Sequence, residues 1–254
     1  MTIAPPPFGQ LNCETSFVCR TPGFIDLLQS ALHTAIFFHN PPTLTSESTP
    51  ASHLLVLPAD NVLSAPLMHP NPDPASPPVA TTAAQQITSL VTTTGEKVTI
   101  NRAAVFAPPT AETHDGLFYP AFFAHTPTGV PGGLGSPAAL LVLHLTGEGT
   151  KKPSTRLLRE TEVLGRALAR QMVGVACTQI YPFKGGLGHG PVVEGSDTFV
   201  EQHFMFYNGP EADGVKSVGE VLHAWGETHG VHVRIDGAER WVVGEGSELQ
   251  EQES

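Results

Sequence analysis

Basic residues are scarce in this chain: 13 lysines and arginines stand against 24 aspartates and glutamates, a formal net charge of −11. Nucleic-acid binding draws much of its affinity from neutralising phosphates, and no Lys/Arg cluster is present to do so. The basic pair Lys151-Lys152 reads as a solvated turn. Direct contact with nucleic acid is not expected. Cysteine is also sparse, with only Cys13, Cys19 and Cys177. Their number and spacing give neither a disulfide framework nor a metal site, and they fit free, partly buried thiols in a reducing compartment. No run approaches the roughly 18 apolar residues of a membrane span, so no membrane association is expected. The amino terminus, MTIAPPPFGQ, has neither a hydrophobic signal core nor an arginine-rich presequence.

What is present is a chain of 254 residues with 40% apolar content, enough for one large domain or two small ones. Its 24 prolines and 25 glycines cluster in a few stretches, which implies compact units joined by irregular loops. The chain starts strand-like from Gln10 and becomes polar by Ser16. Thr21-Pro22 is a helix-start signal, and Phe24, Leu27, Leu28, Ala31 and Ala35 follow at helical spacing. Residues 41–82 are rich in Pro, Ser and Thr around the apolar patch Leu54 to Leu57, and read as an inserted loop. A helix over Ala83 to Thr93 and a strand from Val98 complete the first half.

In the second half, Leu117 to His125 and Ala138 to Leu145 read as two strands of a long hairpin. Pro153-Ser154 opens a helix whose buried side is read as Leu157, Val163, Leu164, Ala167 and Leu168. Residues 182–198 form a second loop. Ser217 and Glu220 make a capping box ahead of Val218, Val221, Leu222 and Trp225, with Gly230 as the stop. Asp236-Gly237, between Val231–Ile235 and Glu239–Val243, reads as a hairpin turn. The expected fold is α+β, two related subdomains over 9–108 and 109–246, each a small antiparallel sheet packed against helices. Residues 1–8 are an irregular lead-in and 247–254 an acidic tail.

Enzyme signatures are weak. Gly185-Gly-Leu-Gly-His-Gly190 lacks the strand and helix of a dinucleotide loop, and Gly147-Glu-Gly-Thr-Lys151 lacks phosphate-loop spacing. Ser136 sits in no nucleophile elbow. His223, His229 and His232 could suggest a metal, but no carboxylates complete a ligand pattern, and surface histidines are the better reading. No cofactor and no metal is expected.

The segment Leu11-Asn-Cys-Glu-Thr-Ser-Phe-Val-Cys-Arg20 resembles the signature L-N-C-E-T-D-F-V-A-R of the translation elongation factor Ts family, matching eight of its ten positions. Thr94-Gly-Glu-Lys-Val-Thr-Ile-Asn-Arg-Ala103, Val200-Glu-Gln-His-Phe204, Ser217-Val-Gly-Glu-Val-Leu222 and Arg240-Trp-Val-Val-Gly-Glu-Gly246 resemble four later family segments, in order. The insertions and tryptophans are similar to fungal mitochondrial members. The resemblance covers residues 9 to 246. It implies an exchange factor, not an enzyme, which promotes GDP release from mitochondrial elongation factor Tu by binding both its GDP-bound and nucleotide-free forms. It implies the mitochondrial matrix, and the family's N-terminal helical domain and any presequence are expected to be missing from this chain. A core that binds elongation factor Tu without exchange is the alternative, and an unrelated α/β enzyme a remote one.

Partner-binding residues implied by the resemblance are Glu14, Thr15, Ser16, Phe17 and Val18, with Phe17 as the wedge. Ser16 stands where the family has an aspartate. A phenylalanine alone is more often core than anchor, and the full motif reverses that balance. His125 ends a strand near a family contact segment; it reads first as a surface histidine and second as a partner contact.

Overall fold

A computed structural model describes residues 8–38, 53–69, 81–107, 115–128, 130, 133–182 and 190–243. The chain divides into two compact units, one built on residues 4–107 and the other on 108–242. Each contains a three-stranded antiparallel sheet with helices packed on it, an α+β architecture. Among the described residues no helix is long and apolar enough to cross a membrane.

In the first unit, β1 (Phe8–Cys13) and β2 (Leu54–Leu57) flank the central β3 (Val98–Phe106). The helices are α1 (Pro22–Phe38), α2 (Ala59–Ser64) and α3 (Ala83–Thr94). Leu11, Val98, Ile100, Ala103 and Val105 from the sheet meet Phe24, Leu27, Ala31, Val62 and Ala83 from the helices in one core. Thr21 accepts the Phe24 amide at the start of α1 while its hydroxyl donates to the Val18 carbonyl. Gly95 ends α3 in the left-handed region, φ 73°, where a side chain is disfavoured.

The loop expected over 41–82 needs correction. Leu54–Leu57 pairs antiparallel with Ala103–Phe106, and α2 follows, burying Leu57 and Val62. Four residues are too few to display a period; pairing with β3 satisfies their backbone and makes the strand. Residues 41–52 and 70–80 lie outside the described set.

In the second unit the order is β4 (Leu117–Ala124), β5 (Ala138–Gly147), β6 (Val231–Trp241), with α4 (Thr155–Gly174) and α5 (Val218–His229) packed against it. Leu141, Leu143, Leu164, Leu168, Val221 and Trp225 form its core. Ser154 caps α4, and Ser217 with Glu220 closes the capping box of α5 as read from sequence. Val163 is corrected: it is 59% exposed. It precedes Leu164 by one residue, about 100° around the helix and off the buried arc.

The third correction is the Asp236-Gly237 turn. β6 runs unbroken through it, and β5 faces it over its whole length. Val142 pairs with Gly237 and Leu143 with Ile235, so Asp236 is the extra residue of a bulge. Its carboxylate accepts from Arg234 at 3.3 Å.

Candidate functional site

The loop from Glu14 to Phe17 leaves the end of β1 and returns through one helical turn, Val18–Arg20, into α1. Glu14, Thr15, Ser16 and Phe17 are all exposed, and the Phe17 ring is 76% exposed. An aromatic of that size on open solvent is a poor use of apolar area unless something covers it.

The loop is braced from beneath. Val18 is 2% exposed and packs into the core of the first unit, pinning the turn next to the ring. Val18, expected among the contact residues, faces the interior of this unit and lies outside the exposed surface of the loop. Arg20 and Thr21 amides donate to the Phe17 and Val18 carbonyls at 3.2 and 3.0 Å, fixing the backbone after the ring.

A second brace comes from the segment joining α3 to β3. The Thr15 hydroxyl and amide donate to the two carboxylate oxygens of Glu96, at 2.7 and 3.0 Å. The Lys97 amide donates to the Glu14 carboxylate at 3.2 Å. Cys13 opposes Val98 in the ladder, so Glu14 and Thr15 come level with Lys97 and Glu96. Side chains continue the β1–β3 pairing where the backbone ladder stops. Sequence reading missed Glu96 and Lys97; the usable signal was their place directly before the strand that pairs with β1.

The thiols complete the underside. Cys13 donates to the Thr15 carbonyl at 3.2 Å and Cys19 to the Ser16 carbonyl at 3.1 Å. Burial pushes the Cys13 thiol up, with the charges of Cys19 and Glu96 adding to it.

His125 is exposed just after β4 and belongs to the other unit; its amide donates to the Pro137 carbonyl at 2.9 Å. Two of the three histidines considered for a metal have other engagements. His229 lies between the Glu160 carboxylate and the Trp225 carbonyl, both at 2.7 Å, and His223 faces Glu227 at 3.5 Å. Among the described residues no group of three His, Cys, Asp or Glu side chains could hold a metal. The Gly185–Gly190 stretch lies largely outside the described residues.

The Glu14–Phe17 site therefore presents an exposed aromatic side chain on a polar loop that is hydrogen-bonded from beneath. No family model matches the chain. It is 31% identical to mitochondrial elongation factor Ts of Cryptococcus neoformans over 96% of its own length and 69% of that protein. Mitochondrial elongation factor Ts of Malassezia globosa is 26% identical over 93% of this chain and 66% of the relative. Mitochondrial elongation factor Ts 1 of Postia placenta is 28% identical over 93% of this chain and 80% of the relative. With the signature segment standing as the exposed loop of the first unit, and with relatives matched along nearly its whole length, the chain belongs to the elongation factor Ts family of translation factors.

Proposed function

We propose that this chain is a guanine nucleotide exchange factor that promotes GDP release from elongation factor Tu in the mitochondrial matrix. The reading rests on the Phe17 ring, exposed on a turn fixed by Val18 and Glu96. An exchange factor works by differential affinity: it binds the nucleotide-free partner more tightly than the GDP-bound one. A knob that enters the partner only when nucleotide-holding elements give way supplies such a difference. Rigidity matters, because an aromatic already held in its bound position loses little entropy on docking. Glu14, Thr15 and Ser16 form the polar rim of the contact and Phe17 its centre. Ser16 brings a hydroxyl where the resembled signature has a carboxylate, which removes one charge from that rim. His125 is a secondary contact in this reading. The partner is a protein, consistent with the acidic chain and its lack of a basic patch.

The test is the release rate of labelled GDP from mitochondrial elongation factor Tu, with and without this chain. Acceleration that grows with concentration and saturates is the expected result. Tight binding with unchanged release would leave a binding core without exchange activity, and the proposal would be wrong.

A further inference from the structure

Cys13 and Cys19 bracket the exposed loop, one closing β1 and the other in the helical turn before α1. Their thiols donate to the carbonyls of adjacent residues, Thr15 and Ser16, from the inner side of the same short loop. Both cysteine side chains pack, partly buried, against the same core of the first unit. A disulfide needs the two Cα atoms within about 4.4–6.8 Å, a span within the compass of two thiols that sit on adjacent carbonyls of one short loop.

We propose that Cys13 and Cys19 are a redox pair that closes to an intramolecular disulfide across the base of the Phe17 loop. Both thiols are free and partly exposed, so a small oxidant reaches them. The carboxylates of Glu14 and Glu96 border the site and repel an anionic disulfide such as oxidised glutathione. An uncharged peroxide suits it. Hydrogen peroxide oxidises one thiolate to a sulfenic acid and leaves as hydroxide; the second thiolate attacks that sulfur and expels a second hydroxide. Two S–H bonds and one O–O bond break, one S–S bond forms, and the two hydroxides take up the two thiol protons as water. Desolvation of Cys13 disfavours its thiolate and slows its attack on peroxide. Closure turns residues 13–19 into a ring and removes both S–H donors from the loop that carries Phe17. The expected consequence for exchange rests on the function proposed above; the chemistry does not.

The full chain is treated with stoichiometric hydrogen peroxide, then with maleimide, and its mass is read intact and after cleavage at Glu14. The expected product has lost two hydrogens and takes one maleimide, on Cys177. Its Cys13 and Cys19 peptides separate only after dithiothreitol. Cys13→Ser and Cys19→Ser each take two maleimides after the same treatment. A cross-link that uses Cys177, or oxygen added to Cys13 or Cys19 with no link between them, overturns the pairing. In the exchange assay GDP should leave elongation factor Tu several-fold more slowly with the oxidised chain than with the reduced chain, with recovery in dithiothreitol. The Cys19→Ser chain should ignore peroxide. An unchanged rate from a fully cross-linked chain overturns the regulatory role, whereas a reduced chain with no exchange at all overturns the function proposed above.

Discussion

Glu96 holds Thr15 twice, one carboxylate oxygen on its hydroxyl at 2.7 Å and the other on its backbone amide at 3.0 Å. The two residues are 81 positions apart in sequence, and their contact ties the end of β1 to the start of β3. Both sit on the surface, so the pair does little for global stability and much for the posture of the loop. Glu96→Ala should cost about 1 kcal/mol or less in unfolding, because the freed Thr15 groups turn to water. Elongation factor Tu binding should weaken more than stability does. In a double-mutant cycle with Thr15→Ala the two effects should fall well short of additive. Additive losses would mean that the bond does not position the loop.

Val18 has the opposite profile to its neighbour. It is 2% exposed in the core of the first unit, so Val18→Ala removes packed methyl groups and leaves a small void. A loss of about 2 kcal/mol in unfolding free energy is expected. Binding measured per folded molecule, well below the melting temperature, should change much less than in Phe17→Ala. Loss of affinity without loss of stability would place Val18 on the contact surface after all.

The three tyrosines give a pH signature. Burial pushes the phenols of Tyr119 and Tyr181 upward, and Tyr207 is pushed up to about 12 by burial and then by the charge of Glu211, 3.2 Å from its hydroxyl. A phenol raised in the folded state keeps its proton while the unfolded chain loses one. Its contribution to stability is therefore intact below about pH 10 and fades as pH rises through the folded values. Phenolate absorbance near pH 10 should be low in the native chain and about half-maximal in urea. Coincident titration curves would contradict these burial assignments.

Local signals were legible in the sequence, and long-range ones were not. Ser217, Glu220 and Gly230 announce the ends of α5 because each acts within one helical turn. Asp236-Gly237 misled for the same reason: the pair suits a tight turn or a bulge, and only the uninterrupted partner strand β5 decides between them. Leu54–Leu57 was legible as an apolar patch but not as a strand, since its partner β3 lies more than 40 residues away. The site followed the same division. The motif singled out Glu14 to Val18, but the inward turn of Val18 and the hold of Glu96 on Thr15 depend on the folded β1–β3 pairing.

Phe17 offers the sharpest test. Its ring is 76% exposed, so truncation removes little buried area. Phe17→Ala should shift unfolding by about 0.5 kcal/mol at most, the ordinary range for a surface change. A buried phenylalanine would cost about 3–5 kcal/mol instead. Binding to elongation factor Tu should weaken by about 2 kcal/mol or more, the scale of an interfacial hot spot and roughly thirtyfold in affinity. The GDP-release rate at a fixed, subsaturating concentration should fall with it. Ser16→Asp restores the carboxylate of the resembled signature and should hold or raise affinity. Ser16 and Phe17 are adjacent, so the double variant should be measured and not inferred from the two singles. Calorimetry on each variant, run beside the release assay, separates folding from docking. Unchanged release from a stable Phe17→Ala chain would strip the ring of its role and leave its exposure without a function.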